Sequence, residues 1–303
     1  MSASIQTREL VINWHITEAC NYGCVFCHSI WGKPKGARDV VKDMQASRNL
    51  IREVYEFFRP GNTENPLYRQ MKWQSVRLNF AGGEPLLYAR QMPELVRFAH
   101  ETGFNTSLIT NGSRLTGALL DELAPYMSWL GVSLDSVNPE INQRIGRTDR
   151  RGVQLDVAGL ARNIQAARTA NPALKLKVNT VVNAANASED FSALIRALSP
   201  EKWKILRMLP VVNSNLEIDD RMFAEFVMRH RAFRKISRVE DNSEMLESYI
   251  MIDPLGRFYQ NGQDTRESGY QYSLPILDVG ALSAFDGMRF SVDRYAARYS
   301  EVA

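Results

Sequence analysis

Six short runs in which apolar and polar side chains alternate recur through the first two thirds of the chain, with stretches of helical periodicity between them. The runs are "LVINWHIT" (10–17), "SVRLNFA" (75–81), "FNTSLIT" (104–110), "WLGVSLD" (129–135), "LKLKVNTVV" (174–182) and "KWKILRML" (202–209). Helices are expected near 43–58, 89–102, 115–126, 154–169 and 188–198. Strands joined by crossover helices run parallel, so the pattern predicts a parallel α/β sheet, open or partly rolled into a barrel. A further helix is expected near 219–233, ahead of an irregular C-terminal third rich in Gly, Asp, Arg and Tyr. The stretch "RPGNTENPLYRQ" (59–70) reads as an exposed loop.

Strand parity adds to this, because alternate side chains point to opposite faces. In the second run Val76, Leu78 and Phe80 share one face, and Arg77, Asn79 and Ala81 the other. The first run sets Ile12, Trp14 and Ile16 against Asn13, His15 and Thr17. The fourth sets Leu130, Val132 and Leu134 against Ser133 and Asp135, and the fifth sets Leu174, Leu176 and Val178 against Lys175, Lys177 and Asn179. A parallel strand buried on both faces is apolar throughout. Here one face suits covering helices and the other is polar or cationic, which predicts an open barrel with a wet, charged lumen.

Bulk charge adds little. A formal charge of +3 and a pI of 8.7 are too mild to argue for nucleic acid. No apolar run reaches membrane-spanning length, and "MSASIQTREL" has no apolar signal core. Cysteine is more telling: the chain has 3, all within "TEACNYGCVFCHSIWG" (17–32). That is too few for a disulfide framework, so a reducing cytoplasm is expected.

Three thiolates can serve zinc with His15 or His28 as the fourth ligand, a disulfide plus a free thiol, or an iron–sulfur cluster. The spacing C-x3-C-x2-C of Cys20, Cys24 and Cys27 leaves a cubane cluster one protein ligand short. The loop follows a strand directly, at the end where α/β proteins place their chemistry.

These residues resemble the cluster loop of the radical S-adenosylmethionine (SAM) superfamily, with Phe26 just before the third cysteine. "AGGEP" (81–85) resembles the same superfamily's motif for the SAM ammonium. Further stretches, "TNGS" (110–113), "SLDS" (133–136), "NQRIGR" (142–147), "KVNTVVN" (177–183), "SPEKWKIL" (199–206) and "ILDVG" (276–280), are similar to those of the viperin family. The resemblance implies a partial (β/α)6 TIM-like barrel over 1–210 and a C-terminal extension over 211–303 that completes a nucleotide site. The chain lacks the N-terminal amphipathic helix of animal members and ends "YSEVA" without their terminal tryptophan, so a soluble prokaryotic-type member is expected.

On the family's chemistry, a [4Fe-4S] cluster on Cys20, Cys24 and Cys27 cleaves SAM, and the 5′-deoxyadenosyl radical takes hydrogen from C4′ of a ribonucleoside triphosphate. Loss of the 3′-hydroxyl as water, with uptake of one electron and one proton, then gives the 3′-deoxy-3′,4′-didehydro analogue, an antiviral chain terminator. The resemblance assigns Gly82, Gly83, Glu84, Asn111, Ser133 and Arg147 to SAM, and the place of Tyr22 and Phe26 inside the cluster loop suits contact with the cluster or the adenine. It assigns Arg77, Lys177 and Lys204 to the phosphates, the three cations that parity already places in one lumen; animal viperins have lysine in place of Arg77. Asn13, Asn79 and Asn179 share that face and suit hydroxyl groups. Tyr270 and Tyr272 are candidates for assisting loss of the 3′-hydroxyl. The expected partners are CTP, UTP or GTP and an electron donor such as flavodoxin or ferredoxin, with no nucleic acid and no membrane. The alternative is a radical SAM enzyme acting on a peptide or cofactor precursor.

Overall fold

The strands follow the parity pattern closely. The computed structural model describes residues 5–27, 36–210, 214–241, 246–261 and 270–299; His28 lies outside them. The runs read from sequence become β1 (Ile5–His15), β2 (Met71–Ala81), β3 (Asn105–Thr110), β4 (Trp129–Ser133), β5 (Lys175–Val182) and β6 (Lys202–Arg207). Each pairs in parallel with the next, in register Ile12 to Leu78, Leu78 to Thr106, Leu108 to Leu130, Leu130 to Leu176 and Val178 to Trp203. Ile12, Trp14, Val76, Leu78, Phe80, Leu130, Val132, Leu176 and Val178 are all buried in one continuous core.

Covering helices lie where the periodicity predicts them, except for a short one at Pro139–Arg144 that it does not predict. They are α1 (Met44–Phe58), α2 (Met92–Thr102), α3 (Gly117–Leu123), α4 (Pro139–Arg144), α5 (Val157–Ala170), α6 (Ser192–Leu198) and α7 (Asp220–Arg229). Local chemistry fixes their starts. The Asp43 carboxylate accepts from the Gln45 and Ala46 amides, and α1 then buries Leu50, Ile51, Val54, Phe57 and Phe58. Asn138 caps α4 and Asp156 caps α5 in the same way.

Two expectations need correction. The segment 59–70 is not simply exposed: a 3-10 turn at Pro66–Arg69 buries Leu67, and Asn65 is fully buried with its side chain donating to Phe57 O. The C-terminal third is more regular than its composition suggests. It supplies β7 (Ser237–Glu240), β8 (Ile250–Ile252), β9 (Arg257–Gln260) and β10 (Gln271–Pro275), followed by α8 (Ile276–Val279), α9 (Ala281–Phe285) and α10 (Val292–Tyr299). These strands are too short for periodicity to reveal. β7 joins β6 and β8 joins the free side of β1, both in parallel, so the sheet runs β10-β9-β8-β1-β2-β3-β4-β5-β6-β7.

Among the described residues no ladder joins β7 to β8, so the rolled sheet stays open there. Side chains span the gap instead. Glu240 on β7 accepts from the Tyr249 hydroxyl (2.9 Å) and from Arg298 of α10 (2.6 Å). α10 is itself tied to the sheet where the Val11 amide donates to the Tyr295 hydroxyl (2.6 Å). Among the described residues no helix is long and apolar enough to cross a membrane.

Candidate functional site

The inward faces of β1–β7 enclose a cavity of about 330 Å³. Cys20, Cys24, Cys27, Phe26, Gly82, Gly83, Asn111, Ser133 and Arg147 line it, as do Asn13, Arg77, Asn79, Lys177, Asn179, Lys204 and Tyr270. Residues spread over most of the sequence therefore meet in one lumen. Along β2, Arg77 precedes Ala81 by four positions, about 13 Å at 3.3 Å per residue. The thiols and the lysines thus occupy opposite ends.

Backbone contacts clamp the cysteine loop on two sides. Gly83 N donates to Thr17 O (2.7 Å) and Glu84 N to Ala19 O (2.9 Å). A Cβ at Gly83 would lie 2.3 Å from Ala19 O, so only glycine lets the β2 terminus pack against the loop. On the other side Gly146, at φ 76, hydrogen-bonds with Gly23, and a Cβ there would lie 2.1 Å from Gly23 O. The Cys20 sulfur accepts from the Tyr22 amide (3.4 Å) and from Asn111 Nδ2 (3.8 Å). Burial pushes the Cys24 thiol up to about 11, against the pull of Arg147, and raises Cys20 as well. Metal binding here would release protons.

Three thiols on one wall, with open cavity in front of them, fit a cluster that keeps one iron for a ligand. Among the described residues no three His, Cys, Asp or Glu side chains converge tightly enough for a single metal ion. Asn111, Ser133 and Arg147 border the same space.

Charges at this end are matched internally. Glu84 is fully buried and does not line the cavity; its carboxylate accepts from Thr110 Oγ1 (2.7 Å) and from the amides of Leu86 (2.9 Å) and Asn111 (2.7 Å). Burial raises its pKa despite those bonds. Arg147 forms an ion pair with buried Asp135, whose other oxygen accepts from Val181 N (2.6 Å). Burial opposes the Arg147 charge, but Asp135 and then Cys24 hold the guanidinium protonated. Tyr22 and Tyr272 lie off the cavity wall: Tyr22 is buried, and Tyr272 lies under the Arg257 guanidinium, 4.1 Å from its ring centre. Tyr270 reaches the cavity, stacked edge-on against Tyr259, and burial followed by Cys27 raises its phenol to about 12.

Midway down, a polar row crosses the sheet. Ser107 donates to Asn79 Oδ1 (2.8 Å), Asn79 to Asn13 Oδ1 (2.9 Å), and Asn13 to Ile250 O (3.4 Å). Below it the lumen is strongly cationic. Arg77 pairs with Glu9 (3.2 Å), and Lys204 with Glu240 (2.5 Å). Among the described residues Lys177, Lys202 and Arg238 have no carboxylate partner. Burial, then Lys204, Arg77 and Lys202, push the Lys177 ammonium well below its ordinary range. Burial and Arg77 lower Lys202 to about 8. Although burial works against it, Lys204 and Arg298 hold the Glu240 carboxyl below the usual range.

Several of these residues escape sequence reasoning. Lys202 shares the parity of Lys204, a usable signal. Gly131 carries none: a Cβ there would lie 3.1 Å from Lys177 Cε, so its absence makes room for that side chain. Trp129 serves as a platform for Arg77 (5.6 Å) and Lys202 (5.5 Å). Glu240, Tyr249 and Arg298 enter only through the fold.

A family model described as the radical SAM superfamily matches residues 14–179. A protein of Psychrobacter lutiphocae named S-adenosylmethionine-dependent nucleotide dehydratase is 40% identical over 299 residues, covering 99% of this chain and 97% of the relative. One of the same name from Pseudoalteromonas ulvae is 37% identical over 295 residues, covering 97% of this chain and 94% of the relative. Among solved structures, native anSMEcpe with bound AdoMet superposes with a TM-score of 0.62 at 14% identity, covering 96% of this chain and 82% of that one. That likeness is one of fold.

Proposed function

The chain belongs to the radical SAM superfamily and to its S-adenosylmethionine-dependent nucleotide dehydratases, and from that premise we propose that it dehydrates a ribonucleoside triphosphate to the 3′-deoxy-3′,4′-didehydro analogue. Its cofactors are a [4Fe-4S] cluster and SAM. When bound, they supply a carbon-centred radical able to take a hydrogen from the sugar.

One observation carries the triphosphate reading: Lys177 is held in the lumen among Arg77, Lys202 and Lys204 with no carboxylate of its own among the described residues. Uncompensated cations in a buried lumen are costly, and a polyanion relieves them. Phosphates held there place the ribose at the Asn13, Asn79 and Ser107 row, facing the thiol end. Charge far from the reacting carbon then serves to align it. Arg147, oriented by Asp135, would take the SAM carboxylate, and Asn111 the neighbouring polar atoms. Glu84 braces the ends of β2 and β3, and so holds the Gly82–Gly83 turn against the cysteine loop. Walls built by Phe26, Tyr259 and Tyr270 keep bulk water from the reacting sugar.

Residues beyond 210 complete this site, since Glu240, Tyr249 and Arg298 form part of its wall. Such chemistry fits a reducing, cytoplasmic setting and a one-electron donor protein. Anaerobic turnover of the reconstituted protein with CTP, UTP, GTP and ATP tests the reading. The expected result is 5′-deoxyadenosine together with a nucleotide lighter by one water; equal turnover of nucleoside and triphosphate would remove the phosphate site.

A further inference from the structure

Cys20 separates two depressions. Inside, it lines the reaction cavity; outside, it lines a groove bordered by Asn21, Ser113, Arg114, Arg150, Arg151 and Val153. Among the described residues it alone borders both. At this point the two spaces share a single residue in their walls.

The groove's charges are unbalanced. Arg114, Arg150 and Arg151 are exposed, and none of their guanidinium groups has an ion pair or hydrogen bond among the described residues. The acidic neighbours are turned to local work. Asp149 Oδ1 accepts from the Arg151 and Val153 amides (2.9 Å each), and Asp156 Oδ1 caps α5 through the Gly159 amide (2.9 Å). Val153, 58% exposed, adds an apolar spot among the arginines.

Each radical generated in the cavity needs one electron from outside, and the cavity side is taken up by cofactor and substrate. We propose that this groove docks an acidic one-electron carrier protein, and that the electron enters through Cys20. The carrier is oxidised by one electron and the centre held by the thiols is reduced by one; no bond forms and no proton moves. Carboxylates on the carrier would meet the free guanidiniums, and its prosthetic group would face Cys20. Rim charges of this kind act on the rate of encounter and its salt dependence. The inference rests on the radical SAM reading of the site and is independent of which nucleotide fills the lumen.

The test compares the cluster-loaded native protein with the triple variant R114E/R150E/R151E under anaerobic conditions. Bleaching of the cluster is followed by stopped flow, first with hydroquinone flavodoxin, then with a reduced [2Fe–2S] ferredoxin, and then with dithionite. At low salt the variant is expected to be reduced at least about tenfold more slowly by at least one of the two proteins. Raising the salt should slow the native protein towards the variant, while dithionite, which needs no docking, reduces both alike. Equal rates with both carriers, or an equal salt response in native and variant proteins, would overturn the proposal. So would binding of a single-stranded RNA oligonucleotide at these arginines with carrier-driven reduction unchanged. Failure of the nucleotide reading is distinguishable, because dithionite-driven assays would then give no dehydrated nucleotide while the carrier effect persisted.

Discussion

The two ends of the lumen handle charge in opposite ways. At the thiol end ionised groups are matched within the protein: Glu84 accepts three hydrogen bonds and Arg147 is paired with Asp135. At the far end cations outnumber the carboxylates that face them, and Lys177, Lys202 and Arg238 have none of their own among the described residues. A matched group is held in place whether or not a ligand is present, so the thiol end is pre-organised. An unmatched group stores an unfavourable interaction that only a ligand of opposite charge removes, so the cation end is poised. The first arrangement suits a reaction centre that must hold its geometry; the second suits an anchor.

The largest effect should come from the thiols. Replacing Cys20, Cys24 or Cys27 by Ala is expected to abolish the visible absorption of the cluster and all SAM cleavage, since no spare thiol exists among the 3 cysteines. Calorimetric titration with a nucleoside triphosphate should still show binding at the cation end. Loss of both together would mean that the ends are not separable.

With Arg147 taking the SAM carboxylate as proposed, Arg147→Ala removes a charged partner from SAM and leaves Asp135 buried without its ion-pair partner. A loss of about 3 kcal/mol, or roughly a hundredfold in SAM affinity, is expected with triphosphate affinity nearly unchanged. The reverse outcome in equilibrium titrations would exchange the roles of the two ends.

Lys204→Ala should cost on the order of 2 kcal/mol in triphosphate affinity and almost nothing for the matching nucleoside, which does not reach that depth. Equal losses for both would point to general damage rather than a phosphate contact.

The smallest effect is a proton count. In the free protein Lys202 titrates near 8 against an ordinary 10.5, and Lys177 is lowered further by burial and its cationic neighbours. A lysine whose folded pKa is depressed opposes folding below that value, and the penalty fades as pH rises towards the unfolded value. The ligand-free protein should therefore gain thermal stability as pH rises from about 8 towards 10.5. A bound triphosphate restores the protons, so calorimetry at pH 8 in buffers of different ionisation enthalpy should show proton uptake for the triphosphate and none for the nucleoside. Proton release on binding would contradict the cluster of unmatched lysines.

Much of the lumen was legible because β periodicity leaves a strand only two faces. Once Val76, Leu78 and Phe80 are taken as core, Arg77 and Asn79 must face the other way, and all of them do. Glu84 shows where such reasoning stops. Its motif points to a ligand, yet its direction depends on how the turn after β2 meets β3, and the carboxylate turns inward to Thr110 and Asn111. Tyr272 likewise lies under Arg257, a contact set by the β9–β10 pairing.

By itself the sequence determined the local rules: which residues form β1–β6, which face of each is apolar, and where three thiols can act together. These follow from side-chain spacing along one chain, which needs no partner to be read. The tertiary structure decided what spacing cannot encode. It carried β7 to β6 and β8 to β1, brought Glu240, Tyr249 and Arg298 across the open seam, and left Cys20 between a cavity and a basic groove. Those contacts join residues far apart in the chain, and only the curvature of the whole sheet brings them within hydrogen-bonding distance.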